Sequence, residues 1–183
     1  MKPSSQDVED EYIRVRFPLE RDEDGWPPSD VETMWCTRIS PGLCKIDNVP
    51  IYALGVAVDD VIEVAEVDGR PTFVRVISHS GHGTVRVIFL GNESPESTRG
   101  SQMWTVLLDA GCTFEGLRGS KLYALDVPSA AAARVIAPVL QRGLSSEIFD
   151  YEEAKPLQGG PGPHPWTKQS KRRLRRLARR PKP

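Results

Sequence analysis

Between residues 12 and 83 the sequence is a succession of short apolar runs, each bounded by a turn signal. The run YIRVRFP alternates apolar and basic residues, the period of two expected of a half-buried strand. Asp68-Gly69 separates VIEVAEV from PTFVRVI and is the strongest hairpin signal in the chain. The turn at residues 40–42, Ser-Pro-Gly, joins two further runs. Strands this short, joined by tight turns, predict a small curved sheet or partly closed barrel over residues 12–83.

After residue 83 the apolar period changes between helix and strand. A strand, TVRVIFLG, is followed by a predicted helix between Ser94 and Gly111. The apolar side of that helix is Met103, Trp104, Leu107 and Leu108. A hairpin, a second helix from Ser129 to Gly143 that contains Pro138, and a last strand complete the order. The sequence therefore predicts an α+β protein, with a ferredoxin-like βαββαβ unit at residues 84–153 after the curved sheet or barrel.

The two ends of the chain differ from the part between them. Residues 1–11 are acidic and are predicted to be flexible. Residues 154–167 contain four prolines and three glycines, a composition typical of a linker. Trp166 in this linker looks exposed, but such a ring is more often a local packing anchor than a contact for a partner groove. Residues 168–183 form a basic tail whose cations are Lys168, Lys171, Arg172, Arg173, Arg175, Arg176, Arg179, Arg180 and Lys182. We expect this tail to become helical only on contact with an anion.

Charge is distributed unevenly along the chain. Overall, 24 lysines and arginines balance 25 aspartates and glutamates, but without the nine tail cations the balance becomes 15 against 25. Residues 1–167 therefore carry a net charge of about −10 and repel nucleic acid, whereas the tail attracts it. Attraction between the tail and the acidic N-terminal region is the simplest alternative to an external anionic partner.

The expected cellular location follows from what the sequence does not contain. No stretch approaches the ~20 apolar residues that a membrane span needs. The start MKPSSQDVEDEY has no apolar core of a signal peptide, so the cytoplasm is the expected location. The three cysteines have scattered spacing, which fits reduced thiols better than a disulfide framework.

Roughly residues 31–152 carry features that resemble a known family. These features are Trp35, Asn48-Val49-Pro50, Tyr52, Gly55-Val56, Asp60 and the segment from Ser80 to Arg86. They are similar to an uncharacterised bacterial family of small soluble proteins known only as a domain of unknown function, the 4265 family. The resemblance implies a domain of about these bounds and a bacterial source. It implies no catalytic residue, because the family has no settled activity.

The glycine-rich segment SHSGHGTVRV is the strongest candidate for a site. Its candidate ligand or anion-binding residues are Arg75, His79, His82, Thr84 and Arg86. Two arginines flank a turn whose backbone N–H groups are able to form a nest for an anion. Imidazoles beside serine hydroxyls also fit a general base with a nucleophile, which keeps an enzyme as an alternative. The segment has no nucleophile-elbow pattern, so we assign no catalytic residue, and a polar turn is the simplest interpretation.

Other ligand chemistries have weaker patterns. Cys36 and Cys44, together with the two histidines, are enough donors for zinc, but their spacing is not that of a zinc knuckle. We therefore predict no metal and no cofactor. An RNA recognition motif needs several aromatic residues on its central strands, and the corresponding strands offer only Phe89 and Tyr123.

Together these features predict a cytoplasmic, non-enzymatic binding or regulatory protein without a membrane span. Its compact part recognises a protein or a small ligand, and its tail docks on an anionic polymer, for which RNA is the first candidate. The alternatives are an enzyme that uses the segment from His79 to Arg86, and an immunity-type inhibitor whose acidic face covers a basic partner.

Overall fold

The structure is a computed structural model of the 183-residue chain. It describes residues 11–23, 25–117, 119–157, 159–161, 166 and 168–178. This part of the chain forms a closed barrel of five strands, a four-stranded sheet with two helices, and a third helix near its C-terminal end. The α+β class and the small barrel predicted from the sequence are confirmed.

The barrel is built from the short strands before residue 79. They are β1 (Tyr12–Pro18), β2 (Val31–Ser40), β3 (Leu43–Ile46), β4 (Val61–Val67) and β5 (Arg70–Ser78). Neighbours in the chain pair antiparallel, and a parallel contact between Arg16 of β1 and Thr72 of β5 closes the ring. In the turn between β4 and β5, Asp68 and Gly69 have φ of 51° and 69°, as a two-residue hairpin of this type requires.

The barrel encloses the apolar side chains on one face of each strand. Met34 and Cys36 of β2 are buried in its core, whereas Trp35 between them is 45% exposed. This follows from the alternation of side chains along a strand. Arg14 of β1 lies over the Trp35 ring, with its guanidinium carbon 5.5 Å from the ring centroid. Trp35, which is larger than Met34 and Cys36, therefore lies on the outer surface of the barrel.

The second half of the chain forms the sheet and its helices. The elements are β6 (Gly83–Phe89), α1 (Thr98–Asp109), β7 (Thr113–Gly116), β8 (Leu122–Val127), α2 (Ala130–Ser145) and β9 (Phe149–Lys155). The strand order across the sheet is β7-β8-β6-β9, and every neighbouring pair is antiparallel.

Both helices begin at serine caps. Ser97 Oγ accepts the N–H of Gly100 at 3.1 Å, and Ser129 Oγ accepts the N–H of Ala132 at 3.2 Å. Because Ser97 is the N-cap, α1 begins at Thr98 and not at Ser94, where the predicted range begins.

Helix α2 is longer than the sequence indicates. It contains Pro138 and continues to Ser145, past the predicted end at Gly143. Gly143 is needed for packing rather than termination, because a Cβ there would lie 2.1 Å from Cζ of Phe149. No helix in the described ranges is long and apolar enough to cross a membrane.

Strand β6 is buried along its whole length. Its odd-numbered residues from Val85 to Phe89 lie in the core with residues of α1 and α2. Its even-numbered residues from Thr84 to Ile88 face the other way, towards the loop before β4 and the C-terminal part of the chain. The barrel therefore meets the sheet at β6.

We expect Trp104→Ala to lower the free energy of unfolding by about 3–5 kcal/mol, as large core truncations do. Trp104 is 5% exposed, and its ring centroid is 5.1 Å from that of Phe114 and 5.2 Å from that of Tyr123. Leu108 on the same helix is a suitable control. The sequence placed it on the buried side, but it is 38% exposed, so Leu108→Ala should cost about 1 kcal/mol or less. Urea unfolding measures both, and equal losses would contradict this packing.

Candidate functional site

Helix α3 (Lys168–Ala178) packs against the folded part of the chain. Leu174 is 2% exposed and lies in a cluster with Trp26, Trp166 and one residue each from β6 and β8. Both indoles are 9% exposed, so Trp166 is a packing anchor rather than an exposed ring. Burial of Leu174 against these rings stabilises the helix.

The described cations of α3 are exposed or half-buried. Lys171, Arg172 and Arg176 are exposed, and the half-buried Arg173 donates from Nη2 to the carbonyl of Gly91 at 3.3 Å. Burial lowers the pKa of Arg173, and the neighbouring Arg176 lowers it further. Within the described residues none of these four side chains forms an ion pair. Among the described contacts, the apolar packing of Leu174 seats the helix.

The other predicted tail residues are described in part or not at all. Lys168 and Arg175 belong to α3, but their side chains lie outside the described part of the chain. Arg179, Arg180 and Lys182 lie entirely outside it. Their contribution to RNA binding stays a prediction.

The residues predicted for an anion loop do not converge on one point. Arg75 is exposed on β5 and pairs with Glu63 at 2.6 Å. Thr84 is buried, and its Oγ1 donates to the carbonyl of Val56 at 3.0 Å. The two histidines and Arg86 contact three different carboxylates. Anion binding by this loop stays a prediction, and the structure places acidic groups beside it.

Asp60 connects the barrel to the sheet. Its buried carboxylate lies 2.8 and 2.9 Å from Lys155 Nζ and accepts the Ser80 N–H at 2.8 Å, the Ser80 hydroxyl at 3.0 Å and the Ala57 N–H at 3.0 Å. His79 Nδ1 is 3.5 Å from the same carboxylate. Burial acts to raise the pKa of Asp60, but Lys155 and the backbone N–H groups outweigh it, so the pKa is lowered.

His82 lies beside a second carboxylate. Its Nδ1 is 2.9 and 3.0 Å from the two oxygens of Asp126. Burial raises the pKa of Asp126 although His82 opposes the change. Ser80 Oγ donates to Asp60 and accepts the backbone N–H of His82 at 3.1 Å. The enzyme alternative requires this hydroxyl to be paired with an imidazole. In the described contacts it is not.

Arg86 is a buried cation on β6. Its side chain is 4% exposed, its Nη2 pairs with Glu152 of β9, and its Nη1 donates to the carbonyl of Tyr52 at 3.3 Å. Burial lowers the pKa of Arg86, and Glu152 is the largest opposing influence. Glu32 fixes the segment that supplies this carbonyl, because its carboxylate accepts the N–H groups of residues 51–53 at 2.8, 3.0 and 2.7 Å. Arg86 thus joins β6, β9 and the loop before β4.

A cavity of about 500 Å³ lies where the barrel, the sheet and the C-terminal part meet. Its wall includes Phe17, Leu19, Trp26, Tyr52, Phe73, Arg86, Glu152, Trp166 and Lys171. Arg86 Nε and Trp166 Nε1 are buried and have no hydrogen-bond partner among the described residues. A buried donor without a hydrogen-bond partner costs about 1–3 kcal/mol, so an acceptor that reached either donor would be favourable.

The thiols and the metal ligands are not grouped. In the ranges that the structure describes, no cluster of three or more His, Cys, Asp or Glu side chains suits a metal ion. Cys36, Cys44 and Cys112 are free and buried. Burial raises the pKa of Cys36 to about 12 and that of Cys112 to about 11, so both thiols stay protonated at neutral pH and are weak nucleophiles.

Residues 32–151 match the family described as Domain of unknown function (DUF4265). The chain belongs to this family. A hypothetical protein from Neisseria gonorrhoeae has a crystal structure similar to this DUF4265 protein, with a TM-score of 0.63 and 17% sequence identity. The match covers 78% of this chain and 93% of that chain, and at this identity it shows the fold alone. No curated protein matches the chain.

We call the region where the barrel, the sheet and the C-terminal part meet the junction. Most contacts of the junction in this DUF4265 protein have no signal in the sequence. Adjacent Glu152 and Glu153 resemble solvated charges in the sequence, yet Glu152 pairs with a buried arginine. Asp60 and Lys155 are 95 positions apart, so no local pattern connects them. One signal was present: Arg86 is a single charge inside the apolar run TVRVIFL, which indicates a buried cation that needs a carboxylate.

We expect Leu174→Ser to release α3, because a hydroxyl replaces the side chain that seats the helix. Trypsin should then cleave the arginine-rich helix faster in the variant than in the unchanged protein. Salt at about 1 M should leave the unchanged protein protected, since ions screen charges but not apolar contact. Release of α3 by salt alone would show that electrostatic attraction holds it.

We expect Lys155→Met to lower the free energy of unfolding by about 3–5 kcal/mol at pH 7, because Asp60 is left buried without its cation. In the variant the pKa of Asp60 rises, so the loss should shrink as the pH falls towards 5. In the unchanged protein the pKa of Asp60 is lowered by folding. The stabilisation from the Asp60–Lys155 pair is therefore fully present above the pKa of Asp60 in the unfolded chain, about 3.9. It is lost only as the pH falls through the lower pKa of the folded protein. Urea unfolding at both pH values measures the difference.

Lys45→Met is the matched control for this experiment. Lys45 pairs with Asp59 at 3.2 Å, and both side chains are 47% exposed. Solvent screens such a pair, so the loss should be about 1 kcal/mol or less at either pH. Similar losses for the two lysine variants would show that the Asp60 pair is not buried as described.

Proposed function

We propose that this DUF4265 protein is a cytoplasmic, non-enzymatic binding protein whose basic C-terminal region docks on RNA. The observation that carries the proposal is the orientation of α3. Leu174 is buried against the folded chain, whereas Arg172 and Arg176 are exposed and Lys171 is exposed at the edge of the cavity. None of the three cations forms an ion pair among the described residues. These cations are not used to hold the helix, so they remain available to an anionic partner.

The chemistry of this face fits phosphate. Arginine presents a planar fork of donors that matches phosphate oxygens better than a lysine ammonium does. Lys121 extends the face, with its Nζ donating to the carbonyls of Gly91 and Glu93 at 2.9 and 2.8 Å. Arg173 donates to the same Gly91 carbonyl, so the two cations lie side by side. Burial lowers the pKa of Lys121, and Arg173 lowers it further. The negative charge of residues 1–167 repels RNA elsewhere and favours binding at this face.

We also propose that residues 84–153 are a ferredoxin-like unit. Its first and third strands, β6 and β8, are central in the sheet, and antiparallel pairing throughout supports this assignment. RNA recognition motifs of similar order bind through exposed aromatic residues. Phe89 is fully buried here, and Tyr123 packs against it with centroids 5.8 Å apart. This favours α3 rather than the sheet as the RNA-binding surface.

The other parts of the proposal have separate support. Free, buried cysteines fit a reducing compartment, which favours the cytoplasm. The Ser80 hydroxyl donates to the Asp60 carboxylate rather than to an imidazole, which favours binding over catalysis. The inhibitor alternative depends on acidic residues such as Asp7, Glu9 and Asp10, which lie outside the described residues.

The double variant Arg172→Gln/Arg176→Gln tests the proposal. Anisotropy of a labelled single-stranded RNA, measured over a range of salt concentrations, gives the affinity and its salt dependence. We expect weaker binding and a log–log salt slope reduced in magnitude by about 1.4, since each lost phosphate contact removes about 0.7.

Arg134→Gln/Arg142→Gln is the matched control, because it removes the same charge from exposed positions on α2. This control should keep the affinity and slope of the unchanged protein. Equal effects of the two double variants would show that only net charge matters. Absence of RNA binding by the unchanged protein would refute the proposal.

A further inference from the structure

The cavity at the junction has walls suited to a flat ring. Trp26 and Tyr52 meet edge to face with centroids 5.4 Å apart, and Phe17 and Phe73 stack with centroids 4.9 Å apart. Trp166 adds another indole to the same wall. Aromatic rings in these arrangements offer faces and edges that attract a planar π system.

The size and position of the cavity are those of a small-molecule site. Its volume of about 500 Å³ lies within the range of roughly 300–1,000 Å³ that is typical of ligand pockets. It lies between two units of the fold, where such pockets are frequent. Neither the sequence patterns nor the family assigns any role to it.

The charges in the wall oppose a bound anion. Among the described residues that line the cavity, acidic Glu20, Asp22 and Glu152 outnumber basic Arg86 and Lys171. Arg86 is already paired with Glu152, so an anion that took Arg86 would leave Glu152 without its cation. A carboxylate or phosphate ligand would therefore add negative charge to a wall that already has an excess of it.

The two unpaired donors indicate which hydrogen-bonding group a ligand needs. Arg86 Nε and Trp166 Nε1 both need a hydrogen-bond acceptor. Both atoms are covered in this structure, so a ligand reaches them only if the side chains around them move. A carbonyl oxygen or a ring nitrogen provides the acceptor without negative charge.

We propose that this cavity binds a flat, uncharged heteroaromatic molecule that carries a carbonyl or ring-nitrogen acceptor. Its ring lies against the aromatic wall of Trp26 and Tyr52, and its acceptor is directed to Arg86 and Trp166. The site goes beyond the RNA face of α3 and does not depend on it. Failure of RNA binding would leave this inference unchanged.

Matched pairs of probes test the proposal on the full chain. Nicotinamide and adenosine are uncharged, and nicotinate and adenosine monophosphate are their anionic counterparts. In ligand-observed NMR with titration, we expect both uncharged probes to bind and to displace each other. Each anionic counterpart should bind at least about tenfold more weakly, a difference of about 1.4 kcal/mol. No binding of either uncharged probe at millimolar concentration, or equal binding within each pair, would overturn the proposal.

Trp166→Phe locates the site, because it keeps an aromatic ring and removes the unpaired N–H. Affinity for nicotinamide should fall about tenfold, the effect of one lost hydrogen bond. Trp35→Phe, on the outer surface of the barrel, is the matched control and should bind like the unchanged protein. Equal affinities in the two variants would refute the role of Trp166.

Leu54→Arg tests the charge argument without touching a core. Leu54 lines the cavity and is 65% exposed, so the fold should tolerate the change. The added cation should shift the preference from nicotinamide towards nicotinate. An unchanged preference would count against the proposal, and this result is decisive even if Trp166→Phe lowers the stability of the chain.

Discussion

Strand β6 has no solvent-facing side, and the arrangement of the molecule depends on that constraint. Its odd-numbered residues from Val85 to Phe89 complete the core with α1 and α2, as in an ordinary two-layer unit. Its even-numbered residues from Thr84 to Ile88 need a second cover, which the barrel loop and the C-terminal segment supply. The barrel and the sheet thus meet on one strand, and the sheet is incomplete without its neighbour.

The cover over β6 is partly polar, and this sets its geometry. Apolar contact is non-directional, whereas a buried cation such as Arg86 is tolerated only beside a well-placed carboxylate and carbonyl. Lys155 and Asp60 repeat this arrangement between the sheet and the barrel. Buried pairs of this kind add little net stability, but their loss is costly because it strands a charge. They therefore discriminate between correct and incorrect docking of the two units more than they strengthen the correct one.

Local chemistry was predictable from the sequence, and long-range burial was not. The Asp68-Gly69 hairpin and the Ser129 cap depend on a few adjacent residues, so their signals are complete in the sequence. The composition around Trp166 is typical of a linker, yet burial of the indole depends on Leu174 and on residues of the sheet. Likewise Arg86 shows that it needs a carboxylate, but not that the partner is 66 positions away.

Trp166 belongs to two surfaces at once, since it packs with Leu174 under α3 and also lines the cavity. Seating the helix by apolar contact leaves Arg172 and Arg176 exposed. Trp166, whose buried indole N–H has no partner among the described residues, also lines the cavity. A shared residue makes the two surfaces thermodynamically dependent, because any change in its position alters the free energy of both. Any effect that a ligand in the cavity has on the position of α3 is matched by an equal effect of α3 on the affinity for that ligand. The position of one indole thus relates the acidic, aromatic junction to the basic helix that covers it.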